Sequence, residues 1–219
     1  MKKLLTLLLF VPLFSFSQEY SEIIDVPGKT ASQLYSSAKE WFTITFPSGK
    51  QVIDLDDSAN GKIIGKGNFN VSAKYKLPSI EQRILWDVDF TLEILVKENK
   101  YRYKILDVSI TNHLMNEGYI TDHHGLIEGV YSDESKFPKT PAVSFAGYFN
   151  SKEVFKNGSD PEWLMKDMEQ RGTKIKKNYV KLASGMNEAI YSNICTTDEQ
   201  IKTLLESLKL KMVKVEEKW

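Results

Sequence analysis

Ile84-Leu85-Trp86-Asp87-Val88-Asp89-Phe90-Thr91-Leu92-Glu93-Ile94-Leu95-Val96 is the stretch that decides the fold. Trp86, Val88, Phe90, Leu92, Ile94 and Val96 alternate with Asp87, Asp89, Thr91, Glu93 and Leu95. Successive side chains of a strand point to opposite faces, so this pattern describes a strand with one buried and one mostly wet face. Glu98-Asn99-Lys100 then makes a tight connection, and Tyr101 to Ile110 returns. The apolar phase of the return strand slips. Tyr101, Tyr103 and Ile105 share one face, then Leu106, Val108 and Ile110 the other. A β-bulge near Ile105 to Asp107 accounts for the slip; a strand buried on both faces is the competing account.

Working outward toward the N-terminus, Lys62 to Val71 reads as a strand in which Ile63, Phe69 and Val71 share a face with Gly65 and Gly67. Glycines there remove side chains and let a neighbour, the helix before them, approach the sheet closely. Asp56-Asp57-Ser58-Ala59-Asn60-Gly61 is dense in turn residues and joins that strand to a shorter one over Gln51–Leu55. Before it, Thr30 or Ser32 caps a helix whose stripe is Leu34, Ala38, Trp41, Phe42 and Thr45, closed by Pro47-Ser48-Gly49. Tyr20 to Val26 is a first strand, ended by Pro27-Gly28.

Toward the C-terminus, periodicity fades from Thr111 to Ser159, with short strands or a hairpin expected within Ile127–Tyr131 and Val143–Phe149. Asp160-Pro161-Glu162 opens a helix, because Pro at the first helical position loses no hydrogen bond. Leu164, Met168, Ile175, Tyr179, Leu182, Met186 and Ile190 then continue in helical steps, either as one helix to about Ile194 or as two broken at Gly172. Thr197-Asp198-Glu199-Gln200 matches a capping box and predicts a separate last helix with stripe Ile201, Leu204, Leu205 and Leu208. The expected organisation is a signal peptide over 1–17, a domain core over 19–112, an irregular insertion over 113–159 and C-terminal helices over 160–211.

The order β-α-β-β-β-β-α, with the residues that carry it, resembles a family of exported bacterial domains of unknown function described as having a TATA-binding-protein-like (TBP-like) fold. The matching pieces are Val26-Pro27-Gly28-Lys29, Leu34-Tyr35, Lys39-Glu40-Trp41-Phe42, Val52-Ile53, Gly61-Lys62-Ile63-Ile64-Gly65-Lys66-Gly67 and Lys100-Tyr101-Arg102-Tyr103-Lys104. They span about Glu19 to Asn112. The resemblance implies an α+β, TBP-like β-α-β(4)-α arrangement, an antiparallel sheet with helices packed on one face, plus a C-terminal helical extension. It also implies export to the envelope, and it carries over no catalytic residue. Nor does the fold name imply DNA binding, since fold does not fix function.

The chain begins Met1-Lys2-Lys3, followed by an apolar run from Leu4 to Phe16 and small residues Ser15 and Ser17 before Gln18. That is the pattern of a cleavable secretory signal peptide. The run is shorter than the roughly 20 apolar residues that span a bilayer, and Pro12 interrupts it. No Cys follows it for lipid attachment, so a soluble periplasmic or secreted protein with no later membrane span is expected. The single cysteine, Cys195, excludes an intrachain disulfide and reads as a small buried apolar residue. Without Lys2 and Lys3 the chain carries 27 basic and 29 acidic residues. That balance gives no electrostatic footprint for nucleic acid. The local run Lys174, Lys176, Lys177 and Lys181 reads as a solvated helix face.

Few residues suggest chemistry. Gly61 to Gly67 lacks the Gly-Lys-Ser/Thr ending of a phosphate loop and lies in a strand. His113, His123 and His124 lie near Glu117, Asp122 and Glu128, which makes His113, His123, His124, Asp122 and Glu128 the candidate metal ligands. Adjacent side chains on an extended segment point opposite ways, and structural-zinc spacings are absent, so exposed loop histidines are the preferred reading. No nucleophile elbow or catalytic-cysteine signature occurs. Tyr131, Phe137, Phe145, Tyr148 and Phe149 lie among Gly and Pro. They read first as a satellite core under a long loop and second as a binding surface. The expected function is a non-catalytic binding or interaction module of the bacterial envelope, with a protein or glycan partner and no cofactor. The alternatives are a hydrolase, metal-dependent or otherwise, using the His113–Glu128 region, and a structural protein that oligomerises through its C-terminal helices.

Overall fold

The computed structural model describes residues 20–46, 52–76, 81–116, 120–122, 125–127, 143–172 and 177–214, with backbone only for 113–116, 120–122, 125–127 and 177–178. In chain order the elements are β1 (Ser21–Asp25), α1 (Ala31–Thr45), β2 (Ile53–Asp57), β3 (Lys62–Lys76), β4 (Glu81–Lys97), β5 (Lys100–Asn116), β6 (Ile120–Asp122), β7 (Gly125–Ile127), β8 (Val143–Ser144), α2 (Phe145–Asn150), α3 (Lys152–Gly158), α4 (Pro161–Gln170) and α5 (Lys177–Val213).

The alternation in β4 sets the architecture. Ile84, Trp86, Val88, Phe90, Leu92, Ile94 and Val96 are all buried on one face, and α1, α2 and α5 contribute the side chains packed against them. The sheet runs β1-β5-β4-β3-β2, antiparallel at every pairing, with β8 beside β5. β6 and β7 pair with each other, and α4 packs on α3 and α5. The class is α+β: an antiparallel sheet with helices on one face and a long C-terminal helix.

The phase slip in β5 is a bulge. Thr91 pairs with Asp107 and Leu92 with Ile105, so Leu106 is the extra residue. Leu106 is 47% exposed, which removes the account of a strand buried on both faces. One inserted residue returns Val108 and Ile110 to the face of Tyr101, Tyr103 and Ile105. The strand also runs on past Ile110 to Asn116.

Gly65 and Gly67 do what their position suggests. A Cβ on Gly65 would lie 2.5 Å from the Phe42 ring, and one on Gly67 would lie 2.3 Å from Phe90 and 2.8 Å from Phe46. The rings at the end of α1 thus rest on bare backbone. Thr30 is the cap of that helix: its Oγ1 accepts from Gln33 N at 3.2 Å, and Gln33 Oε1 accepts from Thr30 N at 2.9 Å. Both orphan donors are satisfied reciprocally. Pro47-Ser48-Gly49 lies outside the described residues; the last helical turn closes with Phe46 N on Phe42 O.

The C-terminal region differs from expectation in two places. Val143–Phe149 is a strand only over Val143–Ser144, then becomes helix, because Phe145, Tyr148 and Phe149 at three and four residues apart share one helical face. Thr197 does not start a helix either: α5 runs unbroken through it for 37 residues, about 55 Å. Ile194, Ile201, Leu205, Leu208 and Met212 are all buried in the two cores, at steps of seven, four, three and four. The stripe stays in phase across Thr197, so packing carries the helix through the capping-box sequence. Gly172, at φ +72°, follows the end of α4.

Two cores result. The first joins α1 to β1, Ile63, the Phe90–Val96 end of β4, the Tyr101–Ile105 end of β5 and the Ile201–Met212 half of α5. The second joins Val71, Tyr75, Ile84 to Val88 and Ile110 to Phe145, Ala189 and Ile194, with Tyr148, Phe149 and Phe155 packed against it.

Candidate functional site

The titratable side chains on the helix-covered side are committed to holding elements together. Glu22 of β1 accepts from Tyr103 Oη at 2.8 Å and pairs with Lys209 of α5 at 2.8 Å. Those two bonds keep the Glu22 carboxyl below its ordinary value. Burial, and then the bond to Glu22, pushes the Tyr103 phenol up to about 12. Asp56 of β2 accepts from Lys39 Nζ at 2.6 Å and from the Tyr35 hydroxyl, both on α1. The ammonium first and the phenol second hold its carboxyl low. Glu98, in the β4–β5 turn, accepts from Ala31 N at 3.0 Å at the start of α1. A negative group there is favoured by the helix dipole. Each of these groups is a strut between two elements, and none is a base beside a nucleophile.

Among the described residues the opposite face of the sheet bears no helix. Its residues are the odd positions of β4, with Lys62, Ile64, Lys66, Asn68 and Asn70 on β3 and Lys100, Arg102, Lys104, Asp107 and Ser109 on β5. Its centre holds Glu93, only 8% exposed although it is charged. Lys62 Nζ reaches it at 2.7 Å and Arg102 at 2.9 Å. The Lys62 bond first, and Arg102 after it, hold the Glu93 carboxyl below its ordinary value against the opposing effect of burial. This triad ties β3, β4 and β5 across the wet face.

Beside the triad, at the edge formed by β1, a half-open groove of about 170 Å³ is lined by Ile23, Leu95, Lys97, Lys100, Tyr101 and Arg102. Leu95 pairs with Arg102 and Lys97 with Lys100 across the β4–β5 ladder, while Ile23 pairs with Arg102 from β1. The groove is therefore an apolar floor from two strands with cations along one rim. Ile23 is 67% exposed. Its charged groups are the ammonium groups of Lys97 and Lys100 and the guanidinium of Arg102.

The residues singled out in the sequence fall elsewhere. Phe145 is 2% exposed. Tyr148 lies 4.7 Å from the Trp86 ring, and Phe149 5.8 Å from Phe145, both partly buried against the second core. All three rings pack in or against the second core. Tyr131 and Phe137 lie outside the described residues. His113 stands opposite Leu85 in the β4–β5 register and Asp122 opposite Gly125 in β6–β7; His123, His124 and Glu128 lie outside the described residues. Among the described residues no three His, Cys, Asp or Glu side chains are grouped as metal ligands. Cys195 is half-buried on α5. Sequence reading passed over Ile23, Lys97 and Lys100. The available signal was a turn, Lys97-Glu98-Asn99-Lys100, flanked on both sides by lysine.

Among the described residues no helix is long and apolar enough to cross a membrane. Comparison with the curated proteins returns no match. Two solved structures resemble the chain. One is a DUF4468 family protein from Bacteroides ovatus ATCC 8483, with 11% identity, a TM-score of 0.45, and 91% of this chain and 88% of that one covered. The other is a TBP-like protein from Parabacteroides distasonis ATCC 8503, with 9% identity, a TM-score of 0.39, and 87% and 92% covered. Residues 20–111, which hold β1 to β4 and most of β5 and so frame the helix-free face, match the family described as a domain of unknown function (DUF4468) with TBP-like fold.

Proposed function

We propose that the chain is an exported, non-catalytic binding module of the bacterial envelope that meets its partner, a protein, on the helix-free face of the sheet. The observation that carries this reading is the groove at Ile23, Leu95, Lys97 and Lys100, on a face that no helix covers among the described residues. A half-buried sheet face with exposed Ile23 beside cations that have no ion-pair partner among the described residues suits recognition, as concave sites with a few placed polar groups generally do. The near-balance of charge in the whole chain argues against nucleic acid as the partner. Support for export is the basic, apolar, small-residue order of Met1 to Ser17.

Site-specific photo-cross-linking in whole cells tests the reading. A photoreactive residue at Asp89, exposed on the helix-free face, is expected to capture a discrete envelope component. The same residue at Glu199, exposed on α5, is expected not to. Equal capture from both positions, or none from Asp89, overturns the placement. N-terminal sequencing of the same protein is expected to begin at Gln18; a start at Met1 overturns export by cleavage.

A further inference from the structure

Rows of side chains cross the helix-free face near the β4–β5 turn, and their order decides what the groove can hold. The row Ile23–Arg102–Leu95 runs from β1 over β5 to β4. The next row toward the turn is Asp25–Lys100–Lys97, and the next row away from it is Ser21–Lys104–Glu93. Neighbouring strands lie about 4.8 Å apart, so Ile23 and Leu95 rise from backbones about 10 Å apart with β5 between them. Arg102 stands in that gap, but its guanidinium bonds Glu93 at 2.9 Å, in the row away from the turn. Its stem is thus the floor of a groove whose walls are Ile23 and Leu95 and whose turn end is Lys97 and Lys100. Tyr101 is 1% exposed with its ring in the first core, so it lends the groove main chain only.

The turn end carries positive charge that nothing answers. Lys97 and Lys100 are direct cross-strand partners and both are exposed, and like charges placed opposite one another destabilise a ladder. Among the described residues neither closes an ion pair. Asp25 ends their row on β1 without pairing with either lysine. Glu98, between them in sequence, accepts from Ala31 N at the start of α1. The groove, of about 170 Å³, is near the size of a cavity of about 150 Å³ that holds benzene, so it seats one side chain and not a whole ligand. A helix, about 10–12 Å across, is too wide to lie between the walls, whereas a single extended segment can lie along β5 above the Arg102 stem. In such a segment residues two apart share a face and lie about 6.7 Å from each other, the same distance that separates the two rows.

We infer that the groove receives an extended segment of a partner protein laid face-on along β5, with an apolar side chain seated between Ile23 and Leu95 and a carboxylate two residues away bridging Lys97 and Lys100. The recognised pattern is apolar–x–acidic, or acidic–x–apolar when the segment runs the other way. Contact is made by side chains over β5, and the outer edge of β1 takes no part in it. The bridging carboxylate also relieves the repulsion between the two lysines, which is then present only in the free protein. This partner chemistry rests on the binding reading above and narrows it to one end of the face.

Methyl NMR of the purified protein tests the pairing, with acetyl-Thr-Leu-Thr-Glu-Thr-amide as the probe and the same peptide with Gln in place of Glu as the control. At low salt the Glu peptide is expected to move the Ile23 and Leu95 methyl signals in a saturable way. The Gln peptide is expected to need about tenfold more for the same shift, as for loss of a close charge contact. In Lys97→Gln/Lys100→Gln the two peptides should become equal, which isolates the coupling between the carboxylate and the lysines. Ile23→Ser should weaken both peptides alike. Lys97→Glu should weaken the Glu peptide yet raise the melting temperature of the free protein, because an opposite-charge pair replaces a like-charge one. All substituted side chains are exposed, so each variant is expected to fold. Equal binding of the two peptides to the natural protein overturns the pairing, as does a difference between them that survives in Lys97→Gln/Lys100→Gln. A lowered melting temperature for Lys97→Glu overturns it too, since the lysines would then be satisfied in the free protein. Shifts confined to the main-chain amides of Ser21 to Asp25, with the Leu95 methyls unmoved, would place the peptide on the edge of β1 and overturn it as well. Failure here with capture of a protein at Asp89 intact removes the pairing alone; failure of both removes the open-face reading as well.

Discussion

The core under α1 is fastened by three side-chain hydrogen bonds between distant parts of the chain, whereas the core under α2 and α3 combines ring packing with the bonds from Asn193 Nδ2 to the Ile84 carbonyl at 3.1 Å and from Asn187 Nδ2 to the Gly158 carbonyl at 3.0 Å, and leaves more polar atoms unpaired. In the first, Tyr20 Oη donates to Asp198 at 2.8 Å, Trp41 Nε1 to Ser207 at 2.9 Å and Lys29 Nζ to the Lys214 carbonyl at 2.6 Å. In the second, Trp86, Tyr148 and Phe155 stack in sequence at 4.7 and 6.1 Å. Trp86 Nε1 and Asn193 Oδ1 are buried there without partners, and Thr197 Oγ1 joins them on the next turn of α5. Tyr101 Oη is the matching loose end of the first core. Directional bonds fix where an element sits, while ring contacts tolerate small shifts. The first core should therefore be the more exactly specified half, and the second the more forgiving one.

The largest effects are expected from removing a ring on each side. Phe42→Ala and Phe145→Ala should each cost about 3–5 kcal/mol in urea unfolding, as buried Phe→Ala changes do. Hydrogen exchange separates the halves: Phe145→Ala should deprotect α2 and α3 while α1 stays protected. Simultaneous deprotection of both would show one cooperative unit and break the contrast.

Glycine substitutions give the next largest difference. Gly67→Ala drives a Cβ into Phe90 and Phe46 and should cost about 1–3 kcal/mol by overpacking. Gly147→Ala in α2 meets nothing within 4 Å and should stabilise by about 0.5–1 kcal/mol, because alanine is the better helix residue. A penalty for Gly147→Ala would show that the second half is as tightly fitted as the first.

Polar edits sharpen the contrast further. Tyr20→Phe removes a made hydrogen bond and should cost about 1 kcal/mol. Thr197→Val replaces a buried, unpartnered hydroxyl with a methyl group and should cost nothing or stabilise. A clear loss in Thr197→Val would reveal a partner for that hydroxyl.

The smallest effect concerns acid. Glu93 has its folded pKa depressed, so its contribution is present above the ordinary carboxylate pKa and is lost as pH falls through the lower, folded value. Glu93→Gln should flatten the acid limb of the stability-against-pH curve and leave its slope near neutrality unchanged. An unchanged acid limb would mean that the Lys62–Glu93–Arg102 triad does not bear on folding.

The first half was readable because its signals are local and agree with one another. Period-two alternation over Ile84–Val96, a capping residue at Thr30 or Ser32 and the bare glycines of β3 each have a mechanism that acts within a few residues. The bulge at Leu106 was readable for the same reason, since one extra residue must shift the phase. The break expected at Thr197 failed because a capping-box sequence competes with an apolar stripe that stays in register, and packing along two cores outweighs a cap worth about 1 kcal/mol. Phe145 to Phe149 was ambiguous because a short aromatic run fits both periods until its neighbours are known. The groove at Ile23 was illegible for a different reason. It is assembled from β1, β4 and β5, whose pairing brings Ile23 beside Arg102 from far away in sequence.

The 37-residue α5 spans both cores, and its final turns complete the one that begins at Tyr20. Tyr20 meets Asp198 across 178 positions and Lys29 meets Lys214 across 185. A ribosome makes residues 201 to 212 after every other part of the first core, so that core lacks a wall until they emerge. Contacts this distant in sequence also slow folding, because loop closure must precede the reward. Until that stretch of α5 emerges, the first core stays open and the chain before it stays threadable.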